Sequence, residues 1–383
     1  MSNKRILRWI LYVLGVAIIV LAFWPVPYSQ ASVGGKSRGA RPGLNVIRNE
    51  TLGVQKVFAI NKPSRVDRRD NIVLGSTVSD FYVEFIDGVS PEDIDPETYP
   101  YNLNSDFKPA QYAARRAHVN VMQRIVHQRL GSAIVFEDDV DWDVTIKTQL
   151  QSFALAVRTL QKTERARTAS PYGDDWDVLW IGHCGVDCRL EEPFFLTPNE
   201  LTVVPPAHFL PYLREVPRMR RPENSRMACT LNDGVCSNGY AVSQRGAQRI
   251  LAALSVSPSP LADQIDIGAE FDVVLGRMCG HGYLRCFAPY PSLTGKYREA
   301  GLASKSSDIA SAPEKMVEAE SHGLMYSTML NLNRILNGEP TVHSTWDDVP
   351  TLEIDPNAIS TPQGGTIQMQ GAQGIYAIRF VPW

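Results

Sequence analysis

Three consecutive acidic residues, Glu137, Asp138 and Asp139, directly follow a short apolar and β-prone segment at residues 133–136. This pattern predicts a buried strand with carboxylates at its carboxyl end, which is where ligands bind in open α/β sheets. Carboxylate oxygens suit Mg²⁺ or Mn²⁺, and such ions are commonly held by one or two carboxylates together with the phosphates of a substrate. We therefore expect Asp138 and Asp139 to bind a divalent cation and a diphosphate, with Glu137 beside them.

A structural interpretation competes with this one, because acidic residues also favour the first turn of a helix. Residues 144–162 are predicted to form a helix directly after the acidic segment. We assign Asp141 and Asp143 to the start of that helix. The three carboxylates before them remain candidates for a cation site, because adjacent carboxylates repel one another and a bound cation relieves the repulsion.

Basic residues follow another predicted strand, at residues 55–61. Arg65, Arg68 and Arg69 are candidates for binding the phosphates of a nucleotide or for lying near its base, since a guanidinium group makes paired hydrogen bonds to phosphate. The alternative is a solvated basic turn in which Asp67 pairs with these arginines.

Two further side chains are candidates for the same site. His118 lies within the strongest predicted helix, residues 109–130, where a structural or surface histidine is the alternative. Trp142 follows the acidic segment and is a candidate for stacking on a ligand ring. Trp176 and Trp180 are expected in the core instead.

Six segments carry a family resemblance when they are taken in order: residues 57–61 with the arginines that follow, 117–118, 133–143, 176–184, 239–247 and 271–275. Together they resemble glycosyltransferase family 25, in the form seen in fungal members, over roughly residues 54–309. That family includes bacterial lipopolysaccharide glycosyltransferases and collagen galactosyltransferases. At 117–118 this chain has Ala-His where many members have Ser-His.

The resemblance implies an α/β fold, specifically a GT-A-like (Rossmann-like) nucleotide-sugar transferase domain that uses a UDP-sugar donor and Mn²⁺ or Mg²⁺. It implies transfer of a hexose, with galactose as the first candidate, to a hydroxyl of a glycan or glycoprotein with inversion. An inverting reaction needs a carboxylate that accepts the proton of the acceptor hydroxyl. Asp272 is the candidate for this base, and Asp263 and Asp266 are the alternatives. The structural interpretation of Asp272 is a cap for the helix that follows it.

Two other functions remain open. A glycoside hydrolase also uses paired carboxylates, but it needs no cation bound to a diphosphate, so dependence on Mn²⁺ and a UDP-sugar separates the two classes. A non-catalytic lumenal scaffold on the same fold would tolerate Asp272→Asn. The net charge of −3 gives no indication of a nucleic-acid partner.

The N-terminus contains an apolar run at residues 6–24, interrupted only by Arg8. A helix of that length spans a bilayer core of about 30 Å, and Lys4 and Arg5 before it favour a cytoplasmic N-terminus. A signal peptide cleaved near Ala31 is the alternative. We expect a single-pass type II protein of the Golgi or endoplasmic reticulum membrane, with its catalytic domain in the lumen.

The sequence thus predicts five consecutive regions. They are a cytoplasmic tail (1–5), a transmembrane signal anchor (6–24), a flexible stem (25–51), a GT-A-like catalytic domain (52–310) and a C-terminal extension (311–383).

The six cysteines fall into three local couples, and an even number in an exported chain indicates disulfides, although fifteen pairings are possible. A zinc site is the alternative. A glycosylation sequon at Asn49 lies within the predicted stem. The couples are Cys184 with Cys188, Cys229 with Cys236, and Cys279 with Cys286.

Overall fold

The computed structural model describes residues 43–99, 106–209, 221–259, 261–303, 314–359, 361–371 and 374–383. The predicted cytoplasmic tail and signal anchor, and most of the predicted stem, lie outside the described residues. Within the described ranges, no helix combines the length and the apolar character needed to cross a bilayer.

The apolar segments of the described chain form eighteen strands. In chain order they are β1 (Lys56–Asn61), β2 (Glu84–Asp87), β3 (Ser132–Glu137), β4 (Val140–Trp142), β5 (Val178–Gly182), β6 (Gly185–Cys188), β7 (Phe194–Thr197), β8 (Arg226–Val235), β9 (Gly239–Ser243), β10 (Cys286–Tyr290), β11 (Thr294–Arg298), β12 (Gly301–Leu302), β13 (Met316–Val317), β14 (Glu320–His322), β15 (Val342–His343), β16 (Glu353–Ile354), β17 (Gly365–Gly371) and β18 (Gly374–Val381).

Six α-helices are found among the described residues. They are α1 (Val66–Val78), α2 (Pro109–Gln128), α3 (Ile146–Leu160), α4 (Gln244–Ser255), α5 (Phe271–Gly280) and α6 (Leu332–Leu336).

Local chemistry sets the ends of these helices. Pro109 occupies the first turn of α2, where a missing backbone N–H costs nothing. The same helix ends before Arg129, which adopts a left-handed conformation with φ of 55°, so it is shorter than the 109–130 expected. The side chain of Ser243 caps α4 by accepting the N–H of Gly246. A Cβ at Gly246 would lie 2.3 Å from the Asp177 carbonyl oxygen, so glycine is required for α4 to approach β5 this closely.

One mixed sheet of eleven strands organises the molecule. The order is β18-β17-β7-β8-β10-β5-β9-β3-β1-β2, and β6 pairs with β8. Strand β1 runs parallel to both β2 and β3, so β1 and β3 end at the same edge of the sheet, with Ile60 opposite Glu137. The predicted α/β class is therefore confirmed.

Both faces of this sheet are covered. On β3, Ala133 and Val135 point to one apolar cluster, which also contains α2, α4 and α5. Ile134 and Phe136 point to the opposite cluster, which contains α3. A strand buried on both faces explains the continuous apolar run in the sequence.

Residues on both sides of the range expected for the catalytic domain, 52–310, pack against that range. Ile47, in a short 3₁₀ turn at Leu44–Arg48, is fully buried, so the last part of the predicted stem belongs to the core. Strand β17 pairs with β7 and extends the main sheet, and β14 pairs with β11, so the predicted extension is an integral part of the fold.

Asp141 takes no part in starting α3, which corrects the role expected for it. Asp143 lies directly before that helix, and its Oδ1 accepts the backbone N–H (2.9 Å) and the hydroxyl (2.7 Å) of the N-cap residue Thr145. Asp141 is buried and accepts hydrogen bonds from the hydroxyls of Ser321 (2.8 Å) and Ser327. Asp143 is buried and accepts the backbone N–H of Tyr326 at 3.0 Å. Both carboxylates therefore fasten the C-terminal region to β4, since each satisfies polar groups that come from residues 321–329.

All six cysteines form disulfides, which confirms the class of bond expected from the sequence. Two of the three bonds connect different local couples, because β6 and β8 lie side by side in the sheet. The pairs are Cys184–Cys236, Cys188–Cys229 and Cys279–Cys286.

Candidate active site

A cavity of about 430 Å³ opens where β1 and β3 end. Helix α2, the first turn of α5 and the turn between β8 and β9 form its other walls. This volume lies within the range of about 300–1,000 Å³ that is typical of small-molecule sites. Of the residues expected to bind the donor, Arg68, His118 and all three acidic residues at the end of β3 line it.

Glu137 ends β3 and is held on several sides. Its Oε1 accepts the hydroxyl of Ser237 at 2.7 Å and lies 3.6 Å from His118 Nε2, while Lys296 Nζ lies 3.8 Å from its Oε2. Burial acts to raise the pKa of this carboxyl, but the positive charge of Lys296 and the hydrogen bonds from His118 and Ser237 outweigh burial and lower the pKa to about 2. Glu137 is therefore a fixed negative charge at the cavity wall.

Asp138 has both of its carboxylate oxygens in hydrogen bonds. Arg68 Nη1 donates to Oδ1 at 2.5 Å, and Asn61 Nδ2 donates to Oδ2 at 3.0 Å. Burial still raises the pKa of Asp138, although Arg68 and Asn61 oppose that effect. These contacts tie the end of β1 and the start of α1 to the acidic segment.

Asp139 differs from its neighbour. Its Oδ2 lies 3.6 Å from Lys296 Nζ, but its Oδ1 is buried and has no hydrogen-bond partner. A buried carboxylate oxygen without a partner is costly, and a bound cation would satisfy it. The backbone of Asp139 is fixed as well, because its carbonyl accepts the N–H of Tyr297 at 2.8 Å.

His118 lies on the cavity wall within a buried network. Its ring stacks on Phe271 with centroids 4.3 Å apart, and its Nδ1 lies 3.0 Å from the Tyr240 hydroxyl. The opposite nitrogen, Nε2, lies 3.4 Å from Ser237 Oγ. His118 thus connects α2, β9 and α5 behind the acidic segment.

Asp272 lines the cavity from the first turn of α5. Its Oδ2 accepts the backbone N–H of Cys236, in the turn after β8, at 2.6 Å. The N-cap residue of α5 is Glu270, so Asp272 does not have the capping role that was its structural alternative. Asp263 and Asp266 do not line the cavity, and Asp266 pairs with Arg277 at 3.0 Å. Only Asp272, among the three aspartates considered for the base, is placed to meet a ligand there.

Two of the predicted basic residues lie beside the cavity rather than in its wall. Arg65 pairs with Asp67 at 2.8 Å and lines a small neighbouring cleft that Arg68 and Asp139 also reach. Arg69 donates from Nε to Asn61 Oδ1 at 3.0 Å, and its guanidinium lies over the ring of Phe85. In this structure Arg69 reaches the site through Asn61.

Trp142 is a core residue, which corrects the stacking role expected for it. Its side chain is 2% exposed, packs between the rings of Phe81 and Phe136, and donates from Nε1 to the Ser79 hydroxyl at 2.8 Å. A sugar or base could not reach its ring without displacing these contacts. The sequence pattern placed Trp142 beside the acidic segment, but β4 turns the side chain away from the cavity.

The residues present fit a divalent cation that shares its coordination with a ligand. No group of three or more His, Cys, Asp or Glu side chains in the described ranges forms a complete metal site. Mg²⁺ and Mn²⁺ sites in nucleotide enzymes commonly use one or two carboxylates, with phosphate and water oxygens completing the shell. The unsatisfied Oδ1 of Asp139 is the protein atom best suited to this role.

Comparison with known proteins indicates which class of enzyme this chain is related to. No protein-family model matches the chain. Procollagen galactosyltransferase 1 of Danio rerio is 23% identical over 243 residues, which cover 59% of this chain and 34% of that protein. The chain is distantly related to a glycosyltransferase. The chain spans about a third of the length of that relative. Its large mixed sheet fits a glycosyltransferase-like domain.

Three polar residues of this glycosyltransferase-like domain were missed by sequence reasoning. Asn61 binds Asp138, Ser237 binds Glu137, and Lys296 lies within 4 Å of Glu137 and Asp139. Asn61 carried a signal, because it ends a predicted strand next to the acidic one. The sequence gives no sign that Ser237 and Lys296 belong to the site, because only the pairing of β9 with β3 and of β11 with β4 brings them close to the acidic segment.

Proposed function

We propose that this protein is a glycosyltransferase of the family 25 type with a GT-A-like catalytic domain. It transfers a hexose, galactose being the first candidate, from a UDP-sugar to a hydroxyl of a glycan or glycoprotein. The observation that carries the proposal is the convergence of Glu137, Asp138 and Asp139 on a cavity at the strand ends, beside Lys296 and with one unsatisfied oxygen on Asp139. The distant galactosyltransferase similarity supports the same class.

The cationic groups of the site suit a diphosphate leaving group. In the proposal Asp139 and Asp138 hold Mn²⁺ or Mg²⁺, with Asp139 as the principal ligand. Asp138 also fixes Arg68 through their 2.5 Å contact. When bound, the divalent ion would neutralise the diphosphate as it departs. Arg68 and Lys296 line the same cavity and add positive charge where negative charge develops.

The proposed reaction inverts the anomeric carbon. The acceptor hydroxyl oxygen forms a new bond to that carbon, and its proton passes to Asp272. The bond between the anomeric carbon and the UDP oxygen breaks, and its electron pair stays on UDP, which leaves. The position of Asp272 in the wall of the cavity that the acidic end of β3 also lines supports this assignment. The hydrogen bond from Cys236 leaves the other oxygen of Asp272 for the proton.

A secretory-pathway location completes the proposal. Three disulfides support an oxidising compartment, and the related procollagen galactosyltransferase is consistent with it. The apolar run at residues 6–24 supports anchoring as a single-pass type II protein of the Golgi or endoplasmic reticulum membrane, with the enzymatic domain in the lumen.

A panel of UDP-sugars tests the proposed function. The full-length chain, made in a secretory host, is incubated with each donor with and without Mn²⁺, and UDP release and transfer to acceptor glycans are measured. We expect turnover of one donor that depends on the metal and is abolished by Asp272→Asn. Metal-independent cleavage of glycosides without a nucleotide would indicate a glycoside hydrolase, and no turnover or binding of any donor would leave the scaffold role.

A further inference from the structure

The turn between β8 and β9 contacts both parts of the proposed catalytic machinery. We call its residues, Cys236, Ser237 and Asn238, the 236–238 turn. The Cys236 N–H donates to Asp272 Oδ2 at 2.6 Å, and the Ser237 hydroxyl donates to Glu137 Oε1 at 2.7 Å. The Asn238 carbonyl accepts the backbone N–H of Glu137 at 3.1 Å. One short turn therefore binds two of the carboxylates that line the cavity.

The 236–238 turn is itself held from outside the cavity. Cys236 is joined by its disulfide to Cys184, which follows β5, and its carbonyl accepts the indole N–H of Trp180 at 2.8 Å. Cys236 has a φ of 63°, a left-handed conformation that a non-glycine residue keeps only where its surroundings impose it. The side chain of Asn238 donates to the Gly295 carbonyl at 2.9 Å, next to Lys296.

We propose that Ser237 and the Cys184–Cys236 disulfide are positioning elements of the glycosyltransferase site. They hold Glu137, on the donor side, and Asp272, the acceptor base, at a fixed separation, so that both act on the same sugar. This inference rests on the proposed function. Misplacement of reacting groups by about 1 Å can cost a hundredfold in rate, so a rigid connection between the two carboxylates has a direct catalytic consequence.

The chain contains a matched control for the disulfide. Cys188–Cys229 also connects the β5–β6 region to β8, is buried, and closes a loop of 41 residues against 52 for Cys184–Cys236. The loop-closure contribution to stability depends only logarithmically on length, so the two bonds are expected to stabilise the fold similarly. Neither Cys188 nor Cys229 lines the cavity, whereas Cys236 does.

The first experiment compares Cys184→Ala/Cys236→Ala with Cys188→Ala/Cys229→Ala in the full-length protein. The measurements are kcat and KM for the UDP-sugar and the acceptor, together with the thermal unfolding midpoint. We expect similar losses of thermal stability in both variants. We expect kcat to fall by roughly 10- to 100-fold only in the first variant. Equal kcat values in the two variants would overturn the role of the disulfide.

Ser237 provides a second test that leaves all disulfides intact. Ser237→Ala removes the hydroxyl that Glu137 accepts, and loss of such an orienting partner typically costs about 10- to 100-fold in metal affinity or activity. We expect that loss in kcat, with Ser237→Thr restoring most of it because threonine keeps the hydroxyl. Wild-type turnover combined with an unchanged kcat in Ser237→Ala would overturn this inference alone. An absence of turnover in the wild type would overturn the proposed function as well.

Discussion

Asp138 and Asp139 are adjacent in the chain but differ in the hydrogen bonds of their carboxylates. Both oxygens of Asp138 accept hydrogen bonds from Arg68 and Asn61, so this residue orients its neighbours. Asp139 has one buried oxygen with no partner. For this reason we assign the principal contact with the cation to Asp139 and a supporting one to Asp138.

Asp139→Asn tests that assignment directly. The amide keeps the size of the side chain but removes the charge, so we expect a loss of several kcal/mol of leaving-group stabilisation, which corresponds to about a hundredfold or more in kcat. Mn²⁺ titrations of activity, and of binding by calorimetry, measure the effect. Asp263→Asn is the control, because Asp263 is exposed and lies outside the cavity. Unchanged Mn²⁺ dependence in Asp139→Asn would contradict the assignment.

Lys296 is a second residue whose charge we expect to matter in the proposed site. It lies within 4 Å of Glu137 and Asp139 and lines the cavity. Lys296→Met keeps most of the side-chain volume but removes the charge, so we expect kcat to fall by roughly a hundredfold, as for other electrostatic groups that stabilise a transition state. Lys296→Arg should retain a larger part of the activity. Steady-state kinetics with the preferred donor would show this order, and equal activity in both variants would argue against a role for the charge.

At the scale of elements, the parts that the sequence predicts best are those with continuous apolar patterns. Strands β1 and β3 and helices α2 and α3 were all expected, because burial on one or both faces leaves a clear apolar pattern. The orientation of Trp142 was not predictable, because β4 has only three residues and its direction depends on pairing with β11. Such contacts join segments more than 150 residues apart, and local sequence carries no signal for them.

Asp143 illustrates this long-range dependence and gives a prediction of pH dependence. Burial raises its pKa to about 6 from an ordinary 3.8, although hydrogen bonds from Thr145 and Tyr326 oppose the change. The folded state therefore binds the proton more tightly than the unfolded state, so the contribution of Asp143 to the free energy of unfolding falls as the pH rises from about 4 to about 6. At about 1.4 kcal/mol per pKa unit, the change is on the order of 3 kcal/mol.

Urea unfolding of the wild type and of Asp143→Asn between pH 4 and pH 7 isolates this contribution. Asparagine does not titrate, and the hydrogen bond that it loses adds an offset that does not depend on pH. We expect the free energy of unfolding of the wild type, relative to that of the variant, to decrease as the pH rises from about 4 to about 6 and then to level off towards pH 7. A difference that stays flat, or that rises with pH, would show that Asp143 titrates normally.

At the scale of the whole molecule, the candidate site depends on segments spread over most of the described chain. Asn61, the acidic end of β3, the 236–238 turn, Asp272 and Lys296 meet only because the central sheet brings β1, β3 and β9 side by side. The sequence predicted the acidic residues and Asp272 through local pattern and family resemblance. It could not predict how the C-terminal region completes the fold, because residues after 311 have weak periodicity and gain their structure from pairing with β7 and β11.

Deleting residues 311–383 tests whether that region is an extension or a part of the domain. The deletion removes the hydroxyl partners of Asp141 and the Tyr326 N–H that donates to Oδ2 of Asp143, so each of these two buried carboxylates loses hydrogen bonds, although Thr145 still donates to Oδ1 of Asp143. It also removes β17, which covers the free edge of β7. Leaving buried polar groups unsatisfied costs about 1–3 kcal/mol each, a large part of the about 5–15 kcal/mol that stabilises a typical domain.

We expect the shortened chain not to accumulate as folded protein, whereas a chain of residues 43–383 should fold, since it keeps every described contact. Circular dichroism and thermal unfolding of the two proteins, made in the same secretory host, decide the matter. A cooperative transition in the chain that ends at residue 310 would restore the boundary predicted from the sequence.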